Sequence, residues 1–183
     1  MAKIALDTAR IARLVNHGPT ILASCHHGGV RNAITLAWAT PVSIDPPMLA
    51  IAVAPARFSH HLIERSGEFV VNVPGTRLLP AVWYCGTRSG RDGDKLRGAG
   101  LTASDASSVG APLIAECFAH IECTVVDAPT EGDHTVFVGR VVSATVESEA
   151  FDRHLRLVGR YHTLHHLGGP RFLTSAGTKI QAA

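Results

Sequence analysis

No stretch of this 183-residue chain approaches the roughly 20 consecutive apolar residues that a membrane span requires. The opening M-A-K-I-A-L-D-T-A-R lacks the apolar core of a secretory leader, so a cytoplasmic protein without a membrane partner is expected. Charge of one sign is also missing. A formal net charge of +2 gives no broad basic field, which argues against nucleic acid as a partner. The four cysteines, Cys25, Cys85, Cys117 and Cys123, contain no C-x-x-C pair, so neither a zinc ribbon nor a thioredoxin-like site is indicated. They read as reduced, mostly buried thiols, and the pattern alone leaves a disulfide open. Four catalytic or nucleotide-binding signatures are absent as well. There is no G-x-G-x-x-G after a strand, no G-x-x-x-x-G-K-[ST], no G-x-S-x-G elbow and no H-E-x-x-H.

What the chain does have is a 46% hydrophobic fraction, enough for one domain over residues 1–183 with a sizeable core. Asp7 is placed to cap a first helix with Ile11, Leu14 and Val15 at helical spacing. Strands are predicted at Thr20–Cys25 and Asn32–Ala39, joined through His26-His27-Gly28-Gly29 by a loop longer than the tightest hairpin. Pro41 and Pro46-Pro47 bracket a kinked connection. In Met48–Ala54, Leu49, Ile51 and Val53 face one way and Ala50, Ala52 and Ala54 the other. The alanine face leaves room either for a ligand or for another packed layer. A short helix is expected over Ser59–Arg65, a strand over Phe69–Val73 and helical spacing from Leu78 to Trp83. Residues 101–112 read as mostly surface connection. Two further strands, Phe118–Val126 and His134–Glu147, flank a turn at Pro129–Asp133. The tail from Phe151 fits no single pattern. Six or seven strands without regular helical crossovers favour a closed antiparallel barrel over a parallel sheet.

Three groups of residues could carry chemistry. Arg57 and Ser59 stand at a helix start, where a guanidinium and an N-cap hydroxyl can clamp an anion; a plain helix cap explains them equally. In the loop C-G-T-R-S-G-R-D-G-D-K, residues 85–95, Ser89, Gly90, Arg91 and Lys95 could cradle a phosphate, or form an exposed charged turn. Asp92-x-Asp94 is too little for a calcium loop. Histidines recur as the pairs His26-His27 and His60-His61, and as His162 and His166 four apart. A His-rich metal site is the weaker reading of these, and no metal ligand set is predicted. His134, just ahead of a strand, is better placed to meet a ligand. Cys25 and His26 are strand neighbours and point to opposite faces, which suits no nucleophile–base pair. Cys117 and Cys123 could share one strand face as inert buried thiols.

Taken together, N-A-I-T-L-A-W-A-T-P-V-S-I-D-P-P (residues 32–47), R-F-S-H-H-L-I (57–63), G-E-F-V-V-N-V-P (67–74), the 85–95 loop and G-D-H-T-V-F-V-G-R-V (132–141) resemble the flavin reductase-like family. The tail from Tyr161 to Phe172 looks like its flavoredoxin branch. The similarity runs from about Gly18 to Phe172. The resemblance implies a mainly β, FMN-binding split β-barrel, antiparallel and Greek-key-like, with a few short helices. It further implies non-covalent FMN, with FAD the lesser alternative, and usually a homodimer. It would place Asn32, Thr35, Leu36, Ala37 and Trp38 along the isoalloxazine and ribityl groups, with Thr35 a hydrogen-bond donor. Arg57, Ser59 and the Ser89–Lys95 segment would lie near the phosphate. His134, His166 and Phe172 would stand near the ring or a nicotinamide access path. No catalytic side chain is required, since the flavin carries the chemistry. NAD(P)H is the implied electron donor, with free flavin, a ferric chelate or a partner such as a monooxygenase as acceptor. The alternative is a flavoredoxin-type electron carrier with no NAD(P)H activity of its own.

Overall fold

The computed structural model describes residues 5–176, without the side chains of Ala9 and Arg10. The leader reading over residues 1–4 therefore lies outside the described residues. The first helical segment is a 3-10 helix, Thr8–Leu14, rather than an α-helix. Its apolar side chains find little cover among the described residues, with Ile11 58% and Leu14 65% exposed.

Alternating apolar residues then build one large antiparallel sheet. Its strands are β1 (Ile21–His27), β2 (Val30–Leu36), β3 (Ala39–Ser43), β4 (Met48–Val53), β5 (Glu68–Val73), β8 (Ala119–Asp127) and β10 (His134–Val146), in the order β2-β1-β5-β8-β10-β4-β3. The short strand β9 (Thr130–Glu131) pairs with the start of β10. Two short strands between β5 and β8, β6 (Ala103–Ser104) and β7 (Leu113–Ile114), pair separately. This is not an up-and-down meander, because β1 neighbours β5 and β4 neighbours β10.

The two edges of the sheet, β2 and β3, are consecutive in the chain and separated only by Ala37 and Trp38. The sheet must therefore curl until its edges meet, and the backbone bond from Ala52 N–H to Trp38 O, 3.0 Å, marks the meeting point. Closure is through the chain itself and not through a β2–β3 ladder. The result is a split barrel, as the resemblance implies. An edge strand leaves alternate backbone N–H and C=O groups outside its ladder, and β2 carries that row along the split.

Inside the barrel, period-2 alternation sends Ile21, Ala23 and Cys25 of β1 and Phe69 and Val71 of β5 into one core with Ile51, Val53 and Phe137. A fully buried side chain such as Phe69 or Phe137 contributes about 1.5–3 kcal/mol. Helix α1 (Phe58–Ser66) adds Leu62 and Ile63 to that core. The opposite face of β1 is buried too. There Leu22 packs with Val82 and Cys85 of helix α2 (Leu79–Thr87) and Leu96 of helix α3 (Lys95–Gly98).

Several expectations are corrected. The β1–β2 turn is the tightest kind. His27 pairs with Val30, and Gly28 and Gly29 both take positive φ (57° and 78°), which a two-residue hairpin of this hand demands. The proline-bracketed stretch holds a strand, β3, which lies on the sheet edge where Pro41 needs no ladder partner on its open side. Residues 101–112 run mostly over the surface, as expected, but are anchored to the fold at several points. Leu101, Val109 and Ala111 are buried, and two distant carboxylates clasp the segment. Glu122 accepts from Ser107 N–H (3.1 Å), Ser107 Oγ (2.8 Å) and Ser108 N–H (2.6 Å), and Glu68 accepts from Gly110 N–H (2.7 Å). Cys117 and Cys123 share no face, the first packing outside the barrel and the second inside it. The unassigned tail forms a hairpin, β11 (Leu164–Gly168) with β12 (Arg171–Thr174). His162 and His166 are thus not one helical turn apart, which removes the helical metal-pair geometry.

Candidate functional site

The split opens into a cleft of about 740 Å³. Its back wall is the β2 edge from Asn32 to Leu36 with Ala37 and Trp38, and Ala52, Val53 and Ala54 lie across from it. The small side chains of Ala52 and Ala54 leave that wall open, so the alanine face of β4 serves the cavity reading. One end is closed by Ala56–Ser59 and by the segment from Cys85 to Asp92 with Lys95. His134 and His166 stand at its margin, together with Ala12, Arg13 and Asn16 of the N-terminal segment.

The walls are strongly cationic. Among the described residues, Arg13, Arg57, Arg88, Arg91 and Lys95 line the cleft against a single carboxylate, Asp92. The guanidiniums of Arg57 and Arg88 have no hydrogen-bond or ion-pair partner among the described residues. Arg91 bonds Ala56 O (3.1 Å) and lies over the Phe58 ring, 5.4 Å from its centroid. Opposed cations without counter-ions in a concave site favour an anionic ligand.

Two sequence expectations change in detail. The N-cap of α1 is Arg57, with extended backbone, and Ser59 sits inside the first turn. The Ser59 hydroxyl, 2% exposed, accepts from Asn32 Nδ2 at 2.8 Å, so β2 and α1 are locked together at the base of the cleft. Lys95 is no exposed loop cation. It opens α3, whose cap Asp94 accepts from Arg97 N–H at 3.0 Å, and its ammonium donates to Cys85 O at 2.7 Å with the residue 4% exposed. Burial pushes the Lys95 pKa down. The nearby Cys85 and Cys25 thiols oppose that shift, and Arg57 adds to it. A buried cation whose ammonium is bonded to a carbonyl rather than a carboxylate is poised to gain from a bound anion.

Gly90 is required by close approach. A Cβ there would stand 2.5 Å from Asn32 Oδ1 and 2.7 Å from Phe58 Cδ1. Thr35, expected as a donor, gives its proton to Val82 O at 2.6 Å and can only accept toward the cleft. The indole of Trp38 lies against the imidazole of His134, with centroids 4.6 Å apart. Asp133 accepts from His134 Nδ1 at 2.6 Å, which leaves Nε2 uncommitted, and that hydrogen bond first, then the imidazole's charge, lowers the Asp133 pKa. Oriented to suit its neighbours, the Asn16 amide donates to Ala12 O (3.0 Å) and accepts from Trp38 Nε1 (3.2 Å).

Of the residues singled out from sequence, Asn32, Thr35, Leu36, Ala37, Trp38, Arg57, Ser59, Ser89, Gly90, Arg91, Lys95, His134 and His166 all line this cleft. Phe172 does not; it borders a smaller adjoining cavity. Arg13 and Asn16 escaped the sequence reading, and no local signal marks them, because the segment reaches the cleft only by packing. Thiol catalysis is disfavoured: burial pushes Cys25 up to about 12, against smaller opposing effects of Ser59 and Lys95. Cys25 faces the core while His26 turns outward to Glu68 at 3.0 Å, so the two are separated as strand alternation requires. Among the described residues no cluster of His, Cys, Asp or Glu could hold a metal ion. No described helix is long and apolar enough to cross a membrane.

Comparison with known proteins accounts for this arrangement. Residues 12–165 match the model of the flavin reductase like domain. A protein of Pyrococcus abyssi without an assigned role is 38% identical over 162 residues, covering 88% of this chain and 92% of its own. The FMN-binding domain of a flavin reductases-like enzyme from Shewanella baltica superposes with a TM-score of 0.82 at 27% identity, over 98% of this chain and 97% of that one. A flavoredoxin from Methanosarcina acetivorans gives a TM-score of 0.88 at 25% identity, over 100% of this chain and 96% of that one. The family-model match over residues 12–165, with a 38% identical relative covered nearly end to end, places the chain in a family: it belongs to the flavin reductase-like proteins.

Proposed function

We propose that this chain binds FMN in the cleft and works as an NAD(P)H-dependent flavin reductase, delivering electrons to free flavin, a ferric chelate or a partner such as a monooxygenase. The observation that carries this reading is the pairing of two unlike ends in one cleft. At one end Arg57, Arg88, Arg91 and Lys95 converge without matching carboxylates, which suits a phosphate monoester. At the other, the β2 edge, Ala52, Ala54 and Trp38 give a flat wall with backbone donors and acceptors, which suits a planar heteroaromatic ring.

Bound there, the flavin would supply hydride and one-electron chemistry. The chain's own work is binding and tuning. Asn32 and Ser59 fix the base of the cleft, and Gly90 lets the backbone of its loop approach. The cationic end holds the phosphate and lends positive potential to the site. His134, oriented by Asp133, can accept or give a proton at Nε2 next to the Trp38 wall. NADH or NADPH and the electron acceptor are substrates that reach the open side. A cytoplasmic homodimer accompanies this reading, and the exposed Ile11, Leu14 and Val15 offer the apolar surface that such an interface would cover.

A second reading, an FMN-binding electron carrier without its own NAD(P)H activity, is favoured by the likeness to a flavoredoxin over the full chain. One anaerobic titration separates the two. Saturable bleaching of the bound flavin bands by NADH or NADPH is expected for the reductase. Bands that bleach only with dithionite would leave the carrier, and a colourless protein that takes up no added FMN would sink both.

A further inference from the structure

The cleft has cations at both ends, and a flavin phosphate engages only one of them. Arg57, Arg88, Arg91 and Lys95 gather around Asn32, where Gly90 comes closest to β2. Trp38 lies further along the same extended stretch, roughly 15–20 Å from Asn32 at the usual rise per residue. Beside Trp38 the N-terminal segment reaches the cleft. The Asn16 amide accepts from Trp38 Nε1 at 3.2 Å, and Arg13, one turn earlier, lines the same margin. The Arg13 guanidinium has no hydrogen-bond or ion-pair partner among the described residues. It is a cation that a phosphate at the far end cannot use.

Arg13 also has a seat. A Cβ on Gly168 would lie 3.3 Å from Arg13 Cζ, 3.3 Å from Nη1 and 3.5 Å from Nε. Three nearly equal distances mean that the guanidinium plane faces the bare α-carbon of Gly168. Its N–H edges therefore stay free for a bidentate acceptor. Gly168 belongs to the β11–β12 hairpin, and the same hairpin holds the segment that carries Arg13. Thr20 N–H donates to Leu164 O (2.7 Å), and His165 Nδ1 donates to His17 O (2.7 Å). Residues 11–20 and 161–176 contain no Asp or Glu, but they carry Arg13, Arg171 and several histidines. Arg171 pairs with Gly168 across the hairpin, which brings a second cation to this end.

We propose that this end of the cleft docks the diphosphate of a dinucleotide electron donor, with Arg13 as its principal contact and Gly168 as the seat of that side chain. A diphosphate offers paired oxygens to a planar fork of donors, and an acid-free rim does not repel it. Arg13 stands one turn from the residue that touches Trp38. A donor held there by its diphosphate can lay its nicotinamide against the ring wall while the cofactor's phosphate fills the other end. The identity of the dinucleotide rests on the reductase reading given above. The contact is made to the part that NADH and NADPH share, so it does not select between them.

The test titrates the FMN-loaded protein with NAD+ and NADP+, which cannot reduce the flavin, by calorimetry. Both should bind the wild type, and more weakly as salt is raised. Arg13→Gln should weaken both by about 10- to 100-fold and by similar factors, as for a lost charge-assisted contact, and should remove most of the salt dependence. Arg13→Lys should recover only part, since an ammonium has no fork, and Gly168→Ala should shift affinity in the same direction as Arg13→Gln. FMN affinity should not follow. In anaerobic reduction by NADH the loss should appear in KM rather than in kcat. The donor 1-benzyl-1,4-dihydronicotinamide, which has no phosphate, should show no change in KM. A wild type that binds no NAD+, an NAD+ affinity unchanged in Arg13→Gln, or an equal loss for the benzyl donor would overturn the proposal. The reductase reading fails separately, as flavin that NADH does not bleach although NAD+ binds in an Arg13-dependent way.

Discussion

Trp38 and His134 face each other across the seam of the barrel, their ring centroids 4.6 Å apart and their planes inclined by 37°. Trp38 belongs to the two-residue link between the edge strands, and His134 opens β10. The contact thus joins the link over the split to the strand paired with β4. A ring contact of this kind is worth about 0.5–1.5 kcal/mol. His134→Ala should therefore weaken FMN binding by about 2- to 10-fold, read by flavin fluorescence quenching, and His134→Phe should restore most of it. If Phe restores nothing, the imidazole acts through a polar contact and the packing account fails.

The cationic end predicts a difference between two flavins. Arg57→Ala removes a guanidinium that has no hydrogen-bond or ion-pair partner among the described residues, so the barrel should keep its stability. FMN affinity should drop on the order of 10- to 100-fold, as for a lost charge-assisted hydrogen bond, while riboflavin, which lacks the phosphate, should bind as before. Equal losses for both flavins would mean that Arg57 acts on the ring or on the fold.

Lys95 carries the pH dependence of that site. Its folded pKa lies below the ordinary lysine value because burial disfavours the charged form. The unfolded state then holds more protons between the two values, so this group makes stability rise with pH across that window. A bound phosphate works the other way and holds the proton on. FMN affinity should consequently fall as pH rises through the folded Lys95 pKa, approaching tenfold per pH unit, and riboflavin affinity should stay flat. Lys95→Met, which keeps the stem but no charge, should flatten the FMN curve as well. A slope that persists in Lys95→Met would assign the titration to another group.

Much of this was legible in the sequence, for identifiable reasons. Period-2 alternation marks β1, β5, β8 and β10 because each sends every second residue into one core. The R-x-S and Gly-rich segments announce themselves because an anion site needs cations and bare backbone. What escaped depends on contacts distant in sequence. Glu122 carries no signal in the sequence, because Ser107 and Ser108 fold onto it from 15 and 14 residues away. Lys95 looked like a solvated cation because a buried one is rare, and only its bond to Cys85 O shows otherwise. Pro41 hid β3, since the rule against proline in strands does not hold at an edge.

The Glu122 clasp gives a stability prediction. Burial raises its pKa, but hydrogen bonds from Ser107, Ser108 and Ser143 outweigh that, and the net direction is down. A depressed carboxylate contributes stability that is present above its unfolded pKa and lost as pH falls through the folded one. Glu122→Gln keeps the shape but gives up the charge-assisted bonds, so it should be destabilised by about 1–3 kcal/mol at pH 7 in urea unfolding. The gap between the two proteins should close as pH drops below the ordinary carboxylate value of 4.5. A gap that stays constant down to acid pH would show that the loop is held by Val109 and Ala111 packing on Val70 instead.

The thiols offer the last test, one that needs no cofactor. Cys25, Cys85, Cys117 and Cys123 are all free and buried. Burial raises every one of them, Cys25 and Cys123 to about 12, with Glu122 adding to Cys123 and Lys95 partly opposing at Cys25 and Cys85. Thiolate is the reactive form, so at pH 8 almost none is present in the folded chain. An aromatic disulfide reagent should label fewer than about one thiol per chain within an hour under native conditions, and all four at once in denaturant. Bound FMN should slow any residual labelling of Cys85, the one thiol in the cleft wall. Rapid labelling of a native thiol would place an anionic sulfur in the site and reopen the thiol chemistry that the burial of Cys25 and Cys85 argues against.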